Sequence, residues 1–256
     1  MEVVIVEDRA AAGILVADIV GQHVRAGAVL GLATGSSPLP AYQELIRRHR
    51  EESLSLSGCR AFLLDEYVGL PRAHHESYDS VIRRELTDHV DLDRVDGPDG
   101  EATNIPEMAA RYEAAIAESG GVDVQLLGIG TDGHLGFNEP GSSLASRTRV
   151  KTLTRQTRED NARFFDSVDD VPHHVVTQGL GTILEAGHLV LIATGETKAR
   201  AVAAAAEGPV SAFCPASVLQ MHPRATVVVD EAAATMLQLS DYYRETWSSK
   251  PEWQQF

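Results

Sequence analysis

The chain is short of lysine, cysteine and long apolar runs, and each shortage closes off a class of function. Its 256 residues include two cysteines, Cys59 and Cys214. They stand far apart with no metal-type spacing, which points to two free thiols in a reducing, cytoplasmic setting. No apolar run approaches the roughly 18 to 20 residues of a membrane span. The opening "MEVVIVEDRA" has no basic stretch followed by a long apolar one, so it reads as a first strand rather than a secretory signal. Positive charge is scarce: 22 Lys and Arg against 37 Asp and Glu leave a net charge of −15. That balance speaks against nucleic acid and anionic membranes as partners. A small anionic ligand stays open, because it needs only a local cluster of cations. Only three of the basic residues are lysines, Lys151, Lys198 and Lys250. In so lysine-poor a chain each is a position to inspect, although a general preference for arginine produces the same scarcity.

What is present is an alternation of short β-rich apolar runs with helical patterns. The runs are "VVIV" (3–6), "AVLGLA" (28–33), "RAFLLD" (60–65), "VDVQLLGI" (122–129), "RVKTLT" (149–154), "HLVLIA" (188–193) and "ATVVVD" (225–230). Several are apolar on both faces, as strands covered on both sides by helices must be. The expected fold is α/β, a doubly wound, mainly parallel sheet of about seven strands flanked by helices, of modified Rossmann-like type. No internal repeat or long linker divides the chain, so residues 1–256 are expected to form a single domain. "DLDRVDGPDGEATN" (91–104) reads as a surface connection, and the tail "SSKPEWQQF" as a polar segment with two aromatic anchors.

In such folds ligands bind beyond the carboxyl ends of the strands, so the residues after each run carry the functional reading. Thr34-Gly35-Ser36-Ser37-Pro38 has the composition of an anion loop: a glycine, two hydroxyls and a helix start, where backbone N–H groups favour phosphate. It is not a Walker A loop, and its bland reading is a turn with a serine cap. "GETK" (195–198) puts Lys198 in the first turn of a helix, where a cation opposes the dipole unless an anion neutralises it. Asp65, ending an apolar run in "LLDEY", is either a cap or a base whose pKa partial burial would raise.

"GIGTDGHLGFNEPG" (128–141) opens with G-x-G-x-x-G, the spacing of a dinucleotide-binding loop. That role needs a helix to begin at the third glycine. Gly136, Pro140 and Gly141 spoil any helix, and no acidic residue ends a strand about 20 residues on, as the dinucleotide pattern requires. The cofactor reading is rejected. What remains is Asp132, His134 and Glu139 within one loop at the ligand edge, a grouping that fixes an imidazole tautomer for proton transfer. One histidine with scattered carboxylates is weak support for zinc.

"LDEYVGL", "DGHLGFNEP", "SSLASRTRVKTLT" and "NARFF" together resemble the glucosamine-6-phosphate deaminase family, from the "ATGSSP" loop to about Tyr243. The resemblance implies conversion of glucosamine 6-phosphate and water to fructose 6-phosphate and ammonia, with no metal or organic cofactor. It implies that Asp65 takes the C2 proton and returns one at C1, that His134 opens the sugar ring, and that Asp132 and Glu139 hold and tune that histidine. Gly35, Ser36, Ser37, Arg163 and Lys198 would bind the phosphate. Hexameric relatives carry an effector site for N-acetylglucosamine 6-phosphate at a subunit interface, and the matching positions are Ser142, Arg149, Lys151, Thr152 and Tyr242. "TGSSP" departs from the commoner "TGGTP", which leaves Ser36 and Ser37 the loosest of these assignments. A 6-phosphogluconolactonase-like hydrolase would share the phosphate clamp without needing both carboxylate sets. A sugar-phosphate sensor would keep the clamp and lose the base.

Overall fold

Runs rich in valine, leucine and isoleucine become most of the strands, and the stretches between them with apolar residues at helical spacing become helices. The computed structural model describes residues 1–251, 253 and 254. Among them the strands are β1 Glu2–Val6, β2 Val29–Leu32, β3 Arg60–Leu63, β4 Asp65–Tyr67, β5 Arg94–Asp96, β6 Val124–Leu127, β7 Arg149–Thr152, β8 His174–Thr177, β9 Leu189–Ala193 and β10 Ala225–Asp230. The helices are α1 Arg9–His23, α2 Leu39–Glu51, α3 Tyr78–Glu85, α4 Ile105–Glu118, α5 Arg155–Asn161, α6 Leu180–Ile183, α7 Ala199–Ala206 and α8 Ser240–Ser248. Polar caps set several helix starts: Asp8 accepts from Ala11 N at 2.8 Å, and Ser77 from Ser80 N at 3.1 Å. No helix among the described residues is long and apolar enough to cross a membrane.

Seven strands form one sheet in the order β1-β10-β9-β6-β2-β3-β5, and every neighbouring pair is parallel. Alternation along each strand sends successive side chains to opposite faces and so builds two cores. On one face Leu30, Leu32, Leu63, Leu126 and Ile192 pack with Val16, Ile19 and Val20 of α1 and with Tyr42 and Leu45 of α2. On the other, Val29, Phe62, Leu127, Leu191 and Val229 pack with Tyr112 and Ile116 of α4, Ile183 of α6 and Val202 of α7. The result is the expected doubly wound, Rossmann-like α/β arrangement.

Two strand assignments are corrected. The run at 149–154 makes β7, but β7 belongs to a separate antiparallel sheet, β4-β8-β7. The seventh strand of the main sheet is β5, inside the segment 91–104 that reads as a surface connection. The aromatic anchoring of the tail also fails where it is described: Trp253 is 82% exposed, and Phe256 lies outside the described residues. Lys250 holds this end instead, 3.0 Å from Glu2 of β1.

Candidate active site

The strand order reverses between β2 and β6. From β2 the chain moves outward through β3 to β5, and from β6 it moves the other way through β9 to β10. A crevice for ligands opens at the carboxyl ends of such a pair. The loops that follow β2, β6 and β9 meet there. A Cβ added to Gly128 would lie 3.3 Å from Ser37 Oγ, and Lys198 Nζ donates to the Ile129 carbonyl at 2.7 Å. The cap explanation of the serines falls away: the N-cap of α2 is Pro38, and no side chain caps that helix. Gly35 turns at φ +93°, and Arg9 Nη2 donates to the Ser36 carbonyl at 2.7 Å. Lys198 ends a 3-10 turn, Glu196–Lys198, immediately before α7, rather than standing in the helix's first turn. Asp230 fixes the approach to that turn, accepting from Gly195 N with both oxygens at 3.0 Å. Arg163 stands apart, on an exposed 3-10 turn at Ala162–Phe164. Its guanidinium lies 4.6 Å over the Phe164 ring, and no described contact joins it to Ser36, Ser37 or Lys198.

Asp65 stands where the chain leaves the main sheet. β3 ends at Leu63, and β4 turns away to pair with β8, with Asp65 opposite Thr177. Asp65 is 6% exposed, and no described hydrogen-bond donor meets its carboxylate. Burial, with the adjacent Glu66 charge, pushes its carboxyl well above the ordinary carboxylate range. A Cβ added to Gly136 would lie 3.4 Å from Asp65 Oδ2 and 2.8 Å from Thr177 Oγ1. The loop carrying His134 and Glu139 therefore runs directly against Asp65.

That loop contains no helix; a turn at Gly130–His134, closed by the Gly130 N to His134 carbonyl bond at 3.0 Å, is followed by a tight turn closed by a bridge between Leu135 and Asn138. Asp132 Oδ1 accepts from His134 N at 3.1 Å and lies 2.7 Å from His134 Nδ1. This favours the proton on Nδ1 and leaves Nε2 as the nitrogen for proton exchange. Burial alone would raise the Asp132 carboxyl, but the His134 ring and backbone N–H outweigh it and hold it below its usual range. The imidazole lies over Gly130, where an added Cβ would be 2.2 Å from Nδ1 and Cε1. Glu139 is buried but is not turned on His134 in any described contact. Its Oε1 accepts from Thr154 Oγ1 at 3.2 Å and closely from Thr157 Oγ1, the cap and third residue of α5.

Several residues that complete the site carry weak sequence signals. Asn138, fully buried, donates to the carbonyls of Leu135 and Gln178 at 2.9 and 2.8 Å, and Phe137 N donates to Thr177 Oγ1 at 3.1 Å. These bonds stitch the loop to β8. Tyr67 and Tyr78 are rings 4.9 Å apart beside Asp65, with hydroxyls raised by burial, that of Tyr67 to about 12. In the sequence Tyr67 stands two residues after Asp65, at the end of an apolar run, and Tyr78 carries no such mark.

The positions matching an effector site do not gather within one chain. Arg149 and Lys151 occupy the same, partly buried side of β7, with Thr152 at its end, while Tyr242 is exposed on α8, which packs on β1. The Ser142 hydroxyl is buried without a hydrogen-bond partner among the described residues.

Fold and crevice together define the class, a Rossmann-like α/β enzyme with its polar machinery at the switch point. The family model for glucosamine-6-phosphate isomerases/6-phosphogluconolactonase matches residues 7–228. The glucosamine-6-phosphate deaminase of Rhodococcus opacus (strain B4) is 69% identical over 259 residues, covering 100% of both chains. The solved structure of a monomeric glucosamine-6-phosphate deaminase matches with 40% identity and TM-score 0.90, over 92% of this chain and 100% of that one. A 6-phosphogluconolactonase from Trypanosoma cruzi matches with TM-score 0.71, over 93% and 97% of the two chains; at 22% identity that likeness carries the fold alone. The chain belongs to the glucosamine-6-phosphate isomerase/6-phosphogluconolactonase family.

Proposed function

We propose that the protein is an isomerising deaminase of amino-sugar catabolism, converting glucosamine 6-phosphate and water to fructose 6-phosphate and ammonia. The observation that carries this reading is the contact of two acid–base groups through one loop: Gly136 lies against Asp65 Oδ2, and two residues earlier His134 is held by Asp132. His134 moves a proton from the C1 hydroxyl to the ring oxygen and frees the aldehyde. Asp65 removes the proton at C2, which that aldehyde has acidified, giving an enolamine. Return of a proton to C1 makes a C2 iminium, and water adds there as ammonia leaves. The carbonyl acts as its own electron sink, so no organic cofactor or metal is needed. Glu139, tied to Thr154 and Thr157, couples α5 to the loop of His134. Gly35, Ser36, Ser37 and Lys198 bind the phosphate, whose fixed position supplies orientation. Arg163 joins them only if its turn moves inward. The two free cysteines and acidic balance suit a cytoplasmic enzyme working on a small sugar phosphate.

The test is ammonia release from glucosamine 6-phosphate, expected well above a no-enzyme control. No ammonia, with hydrolysis of 6-phosphogluconolactone instead, points to the other branch of the family. Tight binding of the sugar phosphate without turnover points to a sensor.

A second anion role is favoured by Arg149. Burial lowers its pKa, and its described partner is a carbonyl, Arg147 O, at 3.3 Å, rather than a carboxylate. A half-desolvated guanidinium on the same side of β7 as Lys151 suits an anionic effector, with Ser142, Thr152 and, from another subunit, Tyr242 completing it. Arg149 and Asp65 both pair with Thr177, one from each side of β8, so an effector on β7 is one strand from the base. N-acetylglucosamine 6-phosphate is expected to shift the midpoint of the velocity curve, and Arg149→Ala to abolish the shift. Superimposable curves with and without the effector mean that the second site is silent.

A further inference from the structure

Beside Asp65 stands a second buried carboxylate that the reaction scheme leaves without a task. Glu66 is 6% exposed, in the middle of β4. Its Oε1 accepts from Tyr67 N at 2.8 Å and Tyr78 N at 3.0 Å, and its Oε2 from Asp79 N at 3.1 Å. Tyr78 and Asp79 are the first two residues of α3, whose remaining early donor, Ser80 N, is satisfied by Ser77 Oγ. The first N–H groups of a helix have no partner within it and attract negative charge. Glu66 thus serves as a cap delivered from the preceding strand rather than from the residue before the helix. The cap also bolts β4 to α3, and β4 carries Asp65 as its first residue.

We propose that Glu66 is a positioning residue for Asp65, fixing its strand against the N-terminus of α3 and holding a negative charge beside its carboxylate. This rests on the reading of Asp65 as the base. Two features separate the role from ordinary packing. Helix capping alone would be met by a serine or asparagine, whereas an ionisable group in this interior costs desolvation, which here pushes the Glu66 carboxyl up although its three N–H partners pull it down. The neighbours also do not neutralise the pair. The ionisable groups around it are Tyr67 on β4, Tyr78 and Asp79 on α3, Tyr112 on α4, and Arg72 in the intervening loop. Arg72, the cation among them, is itself 2.6 Å from Asp79. Burial first, and the Glu66 charge second, disfavour the ionised form of Asp65 and make it a stronger base.

The experiment compares wild type, Glu66→Gln and Glu66→Asp by carboxyl 13C NMR titration, with Asp65→Asn assigning the Asp65 signal, and by the pH profile of kcat/KM. In Glu66→Gln the charge is gone and the cap is weakened. The Asp65 titration is expected to move to lower pH, the acid limb of kcat/KM to move with it, and kcat to fall about 10- to 100-fold with KM nearly constant, the range a misplacement near 1 Å produces. Glu66→Asp keeps the charge on a shorter arm, so the acid limb is expected to stay near wild type while kcat falls. If Glu66→Gln does not fold, Glu66→Asp carries the test through its kcat-against-KM split. An Asp65 titration and a kcat unchanged by either substitution overturn the proposal, whatever happens to thermal stability. Absence of ammonia release by wild type would sink the catalytic reading of Asp65, while the NMR titration would still decide whether Glu66 controls that carboxyl.

Discussion

Asp65→Asn is expected to lower kcat about 1,000-fold, within the range that general acid–base groups contribute, and to leave KM within a few-fold of wild type. Asparagine has nearly the shape of aspartate but cannot accept a proton at neutral pH, so the proposed C2 step loses its base. Binding is expected to be spared because Ser36, Ser37 and Lys198, the residues proposed to hold the phosphate, stand on loops after β2 and β9 and not on β4. The same substitution is expected to stabilise the protein. Asp65 is raised well above the ordinary carboxylate range in the folded chain, whereas in the unfolded chain it titrates near ~3.9. Stability is therefore complete below the unfolded pKa and is lost as pH rises toward the folded one. Calorimetry should show the variant melting above wild type at pH 8, by about 2 to 4 °C for each kcal/mol of relief in a chain of this size, with the gap closing near pH 4. Activity within a few-fold of wild type would remove Asp65 from the base role.

This opposition of activity and stability explains why some of the site was legible in the sequence and some was not. Asp65, Asp132 and His134 were visible because a charged residue at the end of an apolar run is conspicuous, and the switch-point rule puts such run ends near one another. Glu139 was visible as a residue, but its partners were not. Thr154 and Thr157 reach it only through the packing of α5, and no spacing rule links positions 15 and 18 residues apart across a β strand. Glu66 was hidden by its neighbour. Next to Asp65 on a strand, alternation would place it on the opposite, solvent-facing side, yet all of β4 is buried, because α3 covers the side the main sheet leaves open. The exchange of strands has a similar cause. "RVD" at 94–96 is three residues long and carries two charges, so it reads as loop. The ion pair of Arg60 with Asp96 at 2.8 Å, across the β3–β5 ladder, is what lets charged residues end the sheet. β7 alternates cleanly, but a period of two identifies a strand without saying which sheet it joins.

Gly130→Ala tests the reading of the glycine-rich loop itself, and its expected outcome is a folded enzyme that has lost about 100-fold in turnover of the cyclic substrate, the loss that small displacements of a catalytic group produce. Gly130 does not have a positive φ, so the backbone accepts alanine there. The obstacle is the imidazole, since the new methyl carbon would stand 2.2 Å from Nδ1 and 2.5 Å from Nε2 of His134. The ring must move, and any movement off Gly130 strains its 2.7 Å contact with Asp132 Oδ1 and the 3.1 Å bond from His134 N to the same oxygen. Ring opening then becomes the slow step. An acyclic amino-alditol phosphate, which needs no ring opening, is expected to bind the variant as tightly as wild type, because the phosphate loops and Asp65 are untouched. A dinucleotide-binding loop would behave differently: its glycines make room for a pyrophosphate, so alanine would weaken nucleotide binding and leave the histidine in place. Wild-type turnover by a folded Gly130→Ala protein would show that the imidazole's seat on that glycine is incidental. A loss of turnover together with a changed 15N signal of the His134 ring ties the glycine spacing to the position of one catalytic imidazole.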